Sequence, residues 1–123
     1  KNIIQRARPS YVTHLVDPGG YSFPSGHATG AVLACGSLAF LIWYYFKDKY
    51  PKMMPYLIGF TIFMVVAISA SRLYLGVHYL SDIIAGWSIG ATWLILCLSY
   101  FNLFIADKIA LENEVKDNNL KEE

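Results

Sequence analysis

Three long stretches of the chain carry no charge. Residues 28–46, 53–71 and 83–106 lack Asp, Glu, Lys and Arg over 19, 19 and 24 positions. Runs such as LAFLIWYYF and IGFTIFMVVAIS show no polar face recurring at the roughly 3.6-residue spacing of a soluble amphipathic helix. A helix rises about 1.5 Å per residue, so roughly 20 residues cross the ~30 Å hydrocarbon core of a bilayer. The pattern predicts an all-α transmembrane helical bundle with three spans, at about 28–46, 53–71 and 82–106.

The polar positions fall between these spans. Residues 1–27 read as a loop punctuated by the turn signal DPGG, and KDKYPK is a short basic turn between the first two spans. The stretch from Arg72 to Ser81 makes a second loop on the same side as the first. A membrane-embedded core over 1–106 and a polar tail over 107–123 follow as the organisation, with six acids against three lysines in the tail. A solvated tail is favoured there over a short helix. The chain opens on Lys1 rather than Met and enters a span without an earlier anchor, so it reads as the C-terminal part of a longer membrane protein.

Composition sharpens this only slightly. The chain is 55% hydrophobic and 15% charged with a net charge of +1, and no nucleic-acid partner is expected. Cys35 and Cys97 lie inside apolar windows without metal-ligand spacing, and neither a disulfide framework nor a metal is expected. The distribution of charge says more. One side of the membrane holds Lys1, Arg6, Arg8 and Arg72; the other holds Lys47, Lys49, Lys52, Lys108, Lys116 and Lys121. If the first group binds an anion, the remaining cations place the second side in the cytoplasm. The C-terminal tail is then cytoplasmic and the first side faces outward.

That outward side carries the candidate chemistry. Lys1, Arg8 and Arg72, the Ser25 hydroxyl and the Gly26 backbone suit an anion with several oxygens, such as a phosphate. Ser25 sits where the first span begins, so helix N–H groups and dipole would point at the same ligand; by itself it reads equally well as an N-cap. His78 is followed at i+4 by Asp82, a spacing that lets a carboxylate fix the imidazole tautomer and leave the second ring nitrogen as a nucleophile. His27 is then available as general acid and base. With Asp17 and Asp82 the only acids on this side, no magnesium cluster is in sight, and metal-independent catalysis without a cofactor is expected. Arg6 reads as a rim charge, His14 has no partner at recognisable spacing, and Tyr74, Tyr79 and Trp87 suit an interfacial aromatic belt. Gly86 and Gly90 form a small-residue face for helix packing.

Taken together, three segments resemble the type 2 phosphatidic acid phosphatase superfamily. Its signature K-x6-R-P, P-S-G-H and S-R-x5-H-x3-D is matched by Lys1 with Arg8-Pro9, by Pro24-Ser25-Gly26-His27, and by Ser71-Arg72, His78 and Asp82. The resemblance implies His78 as nucleophile oriented by Asp82, His27 as acid and base, and Lys1, Arg8, Ser25, Gly26 and Arg72 as phosphate ligands. It also implies the last three helices of a six-helix multi-pass cell-membrane enzyme with an extracytoplasmic site, the N-terminal transmembrane helices being absent from this chain. The expected substrate is a lipid phosphate or pyrophosphate: undecaprenyl pyrophosphate, phosphatidylglycerol phosphate, phosphatidic acid or diacylglycerol pyrophosphate. Two other readings stand beside it, a vanadate-dependent haloperoxidase-like enzyme and a non-catalytic membrane protein that binds anionic lipid.

Overall fold

The computed structural model describes residues 4–9 and 20–122. Three helices follow one another, α1 (Gly26–Phe46), α2 (Met54–Tyr74) and α3 (Leu80–Glu122), with no strand among the described residues. Each is long and apolar enough to cross a membrane. The protein is an all-α membrane protein.

Helix α1 is the central element and packs against both others. Its contact with α3 is close because α3 offers glycine there. A Cβ on Gly86 would lie 2.8 Å from the Ser25 carbonyl oxygen and 3.0 Å from the Ala28 Cβ. One turn on, a Cβ on Gly90 would lie 2.9 Å from the Val32 Cβ. Small residues let two backbones approach where no hydrophobic force drives helices together in lipid. Further along, Phe101 of α3 meets Phe40 and Tyr44 of α1 edge to face at 5.7 and 5.5 Å. Helix α2 is tied to α3 where the Trp87 indole donates to the buried Ser69 hydroxyl at 2.9 Å.

The distribution of side chains is that of a membrane protein. Large apolar residues such as Leu41, Phe63, Trp93 and Leu103 are exposed, while Ser22, Ser25, Ser69, His78 and Asp82 are buried. Hydrocarbon solvates the former at no cost; the latter need partners inside the protein.

Several boundaries differ from the expectation. α1 begins two residues earlier, so Gly26 and His27 belong to its first turn, and α2 runs on to Tyr74, placing Arg72 in its last turn rather than in a loop. α3 starts at Leu80. The larger correction concerns residues 107–122, expected as a solvated tail: α3 continues through them as one 43-residue helix, roughly 65 Å long. After Gly90 the chain contains neither Gly nor Pro, so nothing interrupts a helix already nucleated by the span. Glu112 and Lys116, at i and i+4, have the favourable order for an ion pair on that segment.

The close α1–α3 approach generates a stability prediction. Gly86→Ala places a methyl group against backbone rather than a flexible side chain, and should cost about 1–3 kcal/mol. A lowered thermal midpoint of the detergent-solubilised protein is the expected result, and an unchanged midpoint would contradict this packing.

Candidate active site

Three local motifs deliver the polar residues to one end of the bundle. At the end of α2 the chain turns through Leu75, Gly76 and Val77. Gly76 has φ 65°, a left-handed conformation that glycine adopts without a Cβ penalty. Its N–H donates to the Leu73 carbonyl at 2.9 Å, and the Val77 N–H donates to the Arg72 carbonyl at 3.3 Å. This pair of bonds is a Schellman closure of the helix. Its consequence is that His78 emerges directly from the turn that ends with Arg72's own carbonyl satisfied.

The start of α3 is closed by Asp82. The Asp82 N–H donates to the Tyr79 carbonyl at 3.0 Å, and Asp82 Oδ2 accepts the Tyr79 N–H at 2.9 Å. The side-chain bond is the N3 half of a capping box, with Asp in the usual Glu position, and the backbone bond is the first turn of the helix. The same oxygen lies 3.6 Å from Nδ1 of His78, longer than a hydrogen bond but close enough to act on its charge. His78 sits in the turn before α3, not on the helical face that i,i+4 spacing suggested. Cap geometry, rather than helix periodicity, brings the two side chains together.

At the start of α1, Ser25 is the N-cap and its Oγ accepts the Ala28 N–H at 3.4 Å. Its own N–H donates to the Asp82 carbonyl at 3.0 Å. This one backbone bond joins the P-S-G-H segment to the His78 segment. The N-termini of α1 and α3 therefore lie side by side, and their positive dipole ends favour an anion between them. The Ser25 side chain is buried, whereas Gly26 and His27 in the following turn are exposed.

The cations divide in their roles. Arg72 has a buried Nε with no hydrogen-bond acceptor among the described residues. Arg8 donates from Nε to the Gly20 carbonyl at 3.1 Å and from Nη1 to the Val77 carbonyl at 2.9 Å, so it holds the turn beside His78. Lys1, His14 and Asp17 lie outside the described residues. Arg6 departs from the expectation of a rim charge. Its Nη1 donates to Asp82 Oδ1 at 2.9 Å and to Ser81 Oγ at 2.6 Å, and its guanidinium lies 4.1 Å from the centre of the Tyr79 ring. Tyr79 and Trp87 are thus engaged inside the protein, while Tyr74 is exposed. Ser22, also missed in the sequence, anchors the loop: its N–H and Oγ both donate to the Arg6 carbonyl, at 2.9 and 3.2 Å. The signal available for Arg6 was its place two residues before Arg8 in a non-helical segment, since i and i+2 share a side in extended chain.

An open groove of about 540 Å³ runs between α1 and α2 from this end, lined by Gly26, His27, Gly30, Ala34, Cys35 and Ile68. A comparable concavity of about 570 Å³ lies at the 47–53 turn, at the far end of the helices, and carries none of these groups.

The family model of the PAP2 superfamily matches residues 1–106, which include every one of these segments. The chain belongs to the PAP2 superfamily. Among curated PAP2-like relatives, phosphatidylglycerophosphatase B of Bacillus subtilis (strain 168) is 38% identical over 92 residues, covering 73% of this chain and 43% of that protein. An undecaprenyl-diphosphatase of Sulfolobus acidocaldarius is 36% identical over 99 residues, covering 76% and 42%. The lipid A 4'-phosphatase of Porphyromonas gingivalis is 34% identical over 100 residues, covering 73% and 38%. The chain thus spans less than half the length of these curated relatives. Its fold is similar to the crystal structure of a transmembrane PAP2 type phosphatidylglycerolphosphate phosphatase from Bacillus subtilis, with a TM-score of 0.74, 26% identity and coverage of 82% of this chain and 51% of that one.

Asp82 is the PAP2 residue whose removal the geometry makes most consequential for this end of the bundle. Asp82→Ala strips the Tyr79 N–H of its acceptor and should destabilise the start of α3 by about 1 kcal/mol or more. Faster hydrogen exchange at the Tyr79 amide, with the α1–α3 contact near Phe101 still protected, is the expected signature; unchanged exchange would remove Asp82 from the cap.

Proposed function

We propose that the protein is an integral-membrane lipid phosphatase that hydrolyses a lipid phosphate or pyrophosphate through a phosphohistidine. The observation that carries this reading is the Ser25 N–H bond to the Asp82 carbonyl, which sets both histidine-bearing segments at the same end of the bundle. Membership of the PAP2 superfamily and the phosphatase names of the relatives support it.

In this reading the phosphate lies between the N-termini of α1 and α3. Arg72 donates to its oxygens from the Nε that has no acceptor among the described residues, with Lys1, Arg8, Ser25 and Gly26 as further ligands. His78 presents Nδ1 towards Asp82 and attacks phosphorus through Nε2. The bond from phosphorus to the leaving oxygen breaks as the N–P bond forms, and His27 gives that oxygen its proton. His27 next takes a proton from water, whose oxygen attacks phosphorus and breaks the N–P bond. Inorganic phosphate leaves and His78 is restored. Phosphoryl transfer needs chiefly positioning and charge stabilisation, which fixed guanidinium groups and helix N-termini supply.

The lipid's hydrocarbon chain would extend along the α1–α2 groove, which begins at Gly26 and His27 and continues along the apolar side chains Ala34, Cys35 and Ile68. Phosphatidylglycerol phosphate and undecaprenyl pyrophosphate are the substrates to offer first, following the names of two relatives. In this reading the site faces the extracytoplasmic side, which the positive-inside rule supports if the cations of the site are set aside for the anion. Helices N-terminal to Lys1 would complete the enzyme.

The test is phosphate release by the detergent-solubilised full-length protein from each lipid, with and without EDTA, beside a His78→Ala variant. Release that survives EDTA and falls by about 10³-fold or more in the variant is expected for loss of a nucleophile. Equal release by His78→Ala, or none by the wild type from any lipid, would overturn the assignment.

A further inference from the structure

We propose that Arg6 is a positioning residue that acts through Asp82 on His78, fixing which carboxylate oxygen faces the imidazole and how much negative charge the imidazole meets. The inference rests on the histidine mechanism above and deepens it.

Asp82 has no exposed side-chain surface, and a buried carboxylate is costly unless paired and hydrogen-bonded. Its two oxygens are used differently. Oδ2 accepts the Tyr79 N–H and faces His78; Oδ1 accepts Arg6 Nη1 at 2.9 Å. With Oδ1 held, the carboxylate cannot rotate away from the imidazole. Arg6 is itself fixed at three points: Nη1 on Ser81 Oγ, the guanidinium plane over the Tyr79 ring, and the backbone carbonyl on Ser22. A loosely held surface arginine has no such restraints. The pairing also spans 76 positions of sequence, so it clamps the loop before α1 onto the start of α3.

Charge gives the second half of the argument. An anion beside an imidazole favours its protonated form, and a cation on that anion moderates the effect. Among the described residues, the other ionisable groups at this end of the bundle are Arg8 on the Val77 carbonyl, Arg72 in the last turn of α2, His27 in the first turn of α1, and Tyr79 at the start of α3. Among the described residues, Arg6 is the cation bonded to the carboxylate itself. Removing it leaves His78 facing an uncompensated anion, so a higher pH is needed to reach the neutral, nucleophilic imidazole.

The experiment compares pH profiles of kcat/KM for phosphate release by full-length wild type, Arg6→Gln, Arg6→Lys and His78→Ala, with thermal midpoints measured in parallel. Arg6→Gln keeps a donor and loses the charge; Arg6→Lys keeps the charge and loses the planar fork. Expected are a fall in kcat of roughly 10- to 100-fold for Arg6→Gln with KM little changed, an acid limb displaced to higher pH, and a limb returned towards the wild-type position in Arg6→Lys. A structural staple alone would lower the thermal midpoint without moving the limb. An unmoved limb in Arg6→Gln, or full activity, therefore overturns the inference while leaving the mechanism intact, provided the wild type remains active and His78-dependent. If the wild type releases no phosphate, or His78→Ala matches it, the mechanism fails and the role of Arg6 fails with it.

Discussion

One buried carboxylate organises the polar end of this protein. Asp82 accepts the Tyr79 N–H and thereby starts α3, takes the Arg6 guanidinium and thereby holds the loop before α1, and offers its backbone carbonyl to Ser25, thereby seating α1. It does so without any exposed side-chain surface. A charge so placed is tolerable only because each oxygen has a donor, and every donor comes from a different part of the chain. The geometry proposed for catalysis and the folding of this end consequently share one set of contacts.

The rest of the architecture follows from the solvent. Large apolar side chains face outward along three helices, and the buried set is small or polar. In lipid such a bundle cannot rely on hydrophobic burial, and close contact comes instead from glycines. Gly86 matters to the site for this reason. It packs against Ser25 and Ala28, the residues that begin α1, so helix spacing and site geometry are set at one position. The electrostatics are also architectural: an up-down-up path puts two helix N-termini at one end, with Arg72 on the single C-terminus that meets them.

Much of this was legible in the residues. Charge-free windows lie within a few positions of α1, α2 and the start of α3, because backbone satisfaction and bilayer thickness leave few alternatives. In residues 107–122 an acidic, polar composition favours a solvated tail, whereas the absence of any helix breaker after Gly90 lets α3 run on through them. The His78 and Asp82 pairing was anticipated from i,i+4 spacing, yet it arises from a Schellman turn followed by a cap, with His78 outside the helix. The same two residues meet for a different geometric reason.

The sequence by itself determined that the chain has three stretches long and apolar enough to cross a bilayer, that its arginines and histidines lie within residues 6–27 and 72–78, and that Ser25 stands where a helix N-cap is needed. These are local properties, written in composition and in spacings of a few residues. Only the tertiary structure decided which cation meets which carboxylate. Arg6 and Asp82 are 76 positions apart, and Ser25 reaches Asp82 across two whole helices. No local period encodes such pairings. They depend on how closely α1 can approach α3, and that distance is fixed by packing between backbones rather than by any pattern along one of them.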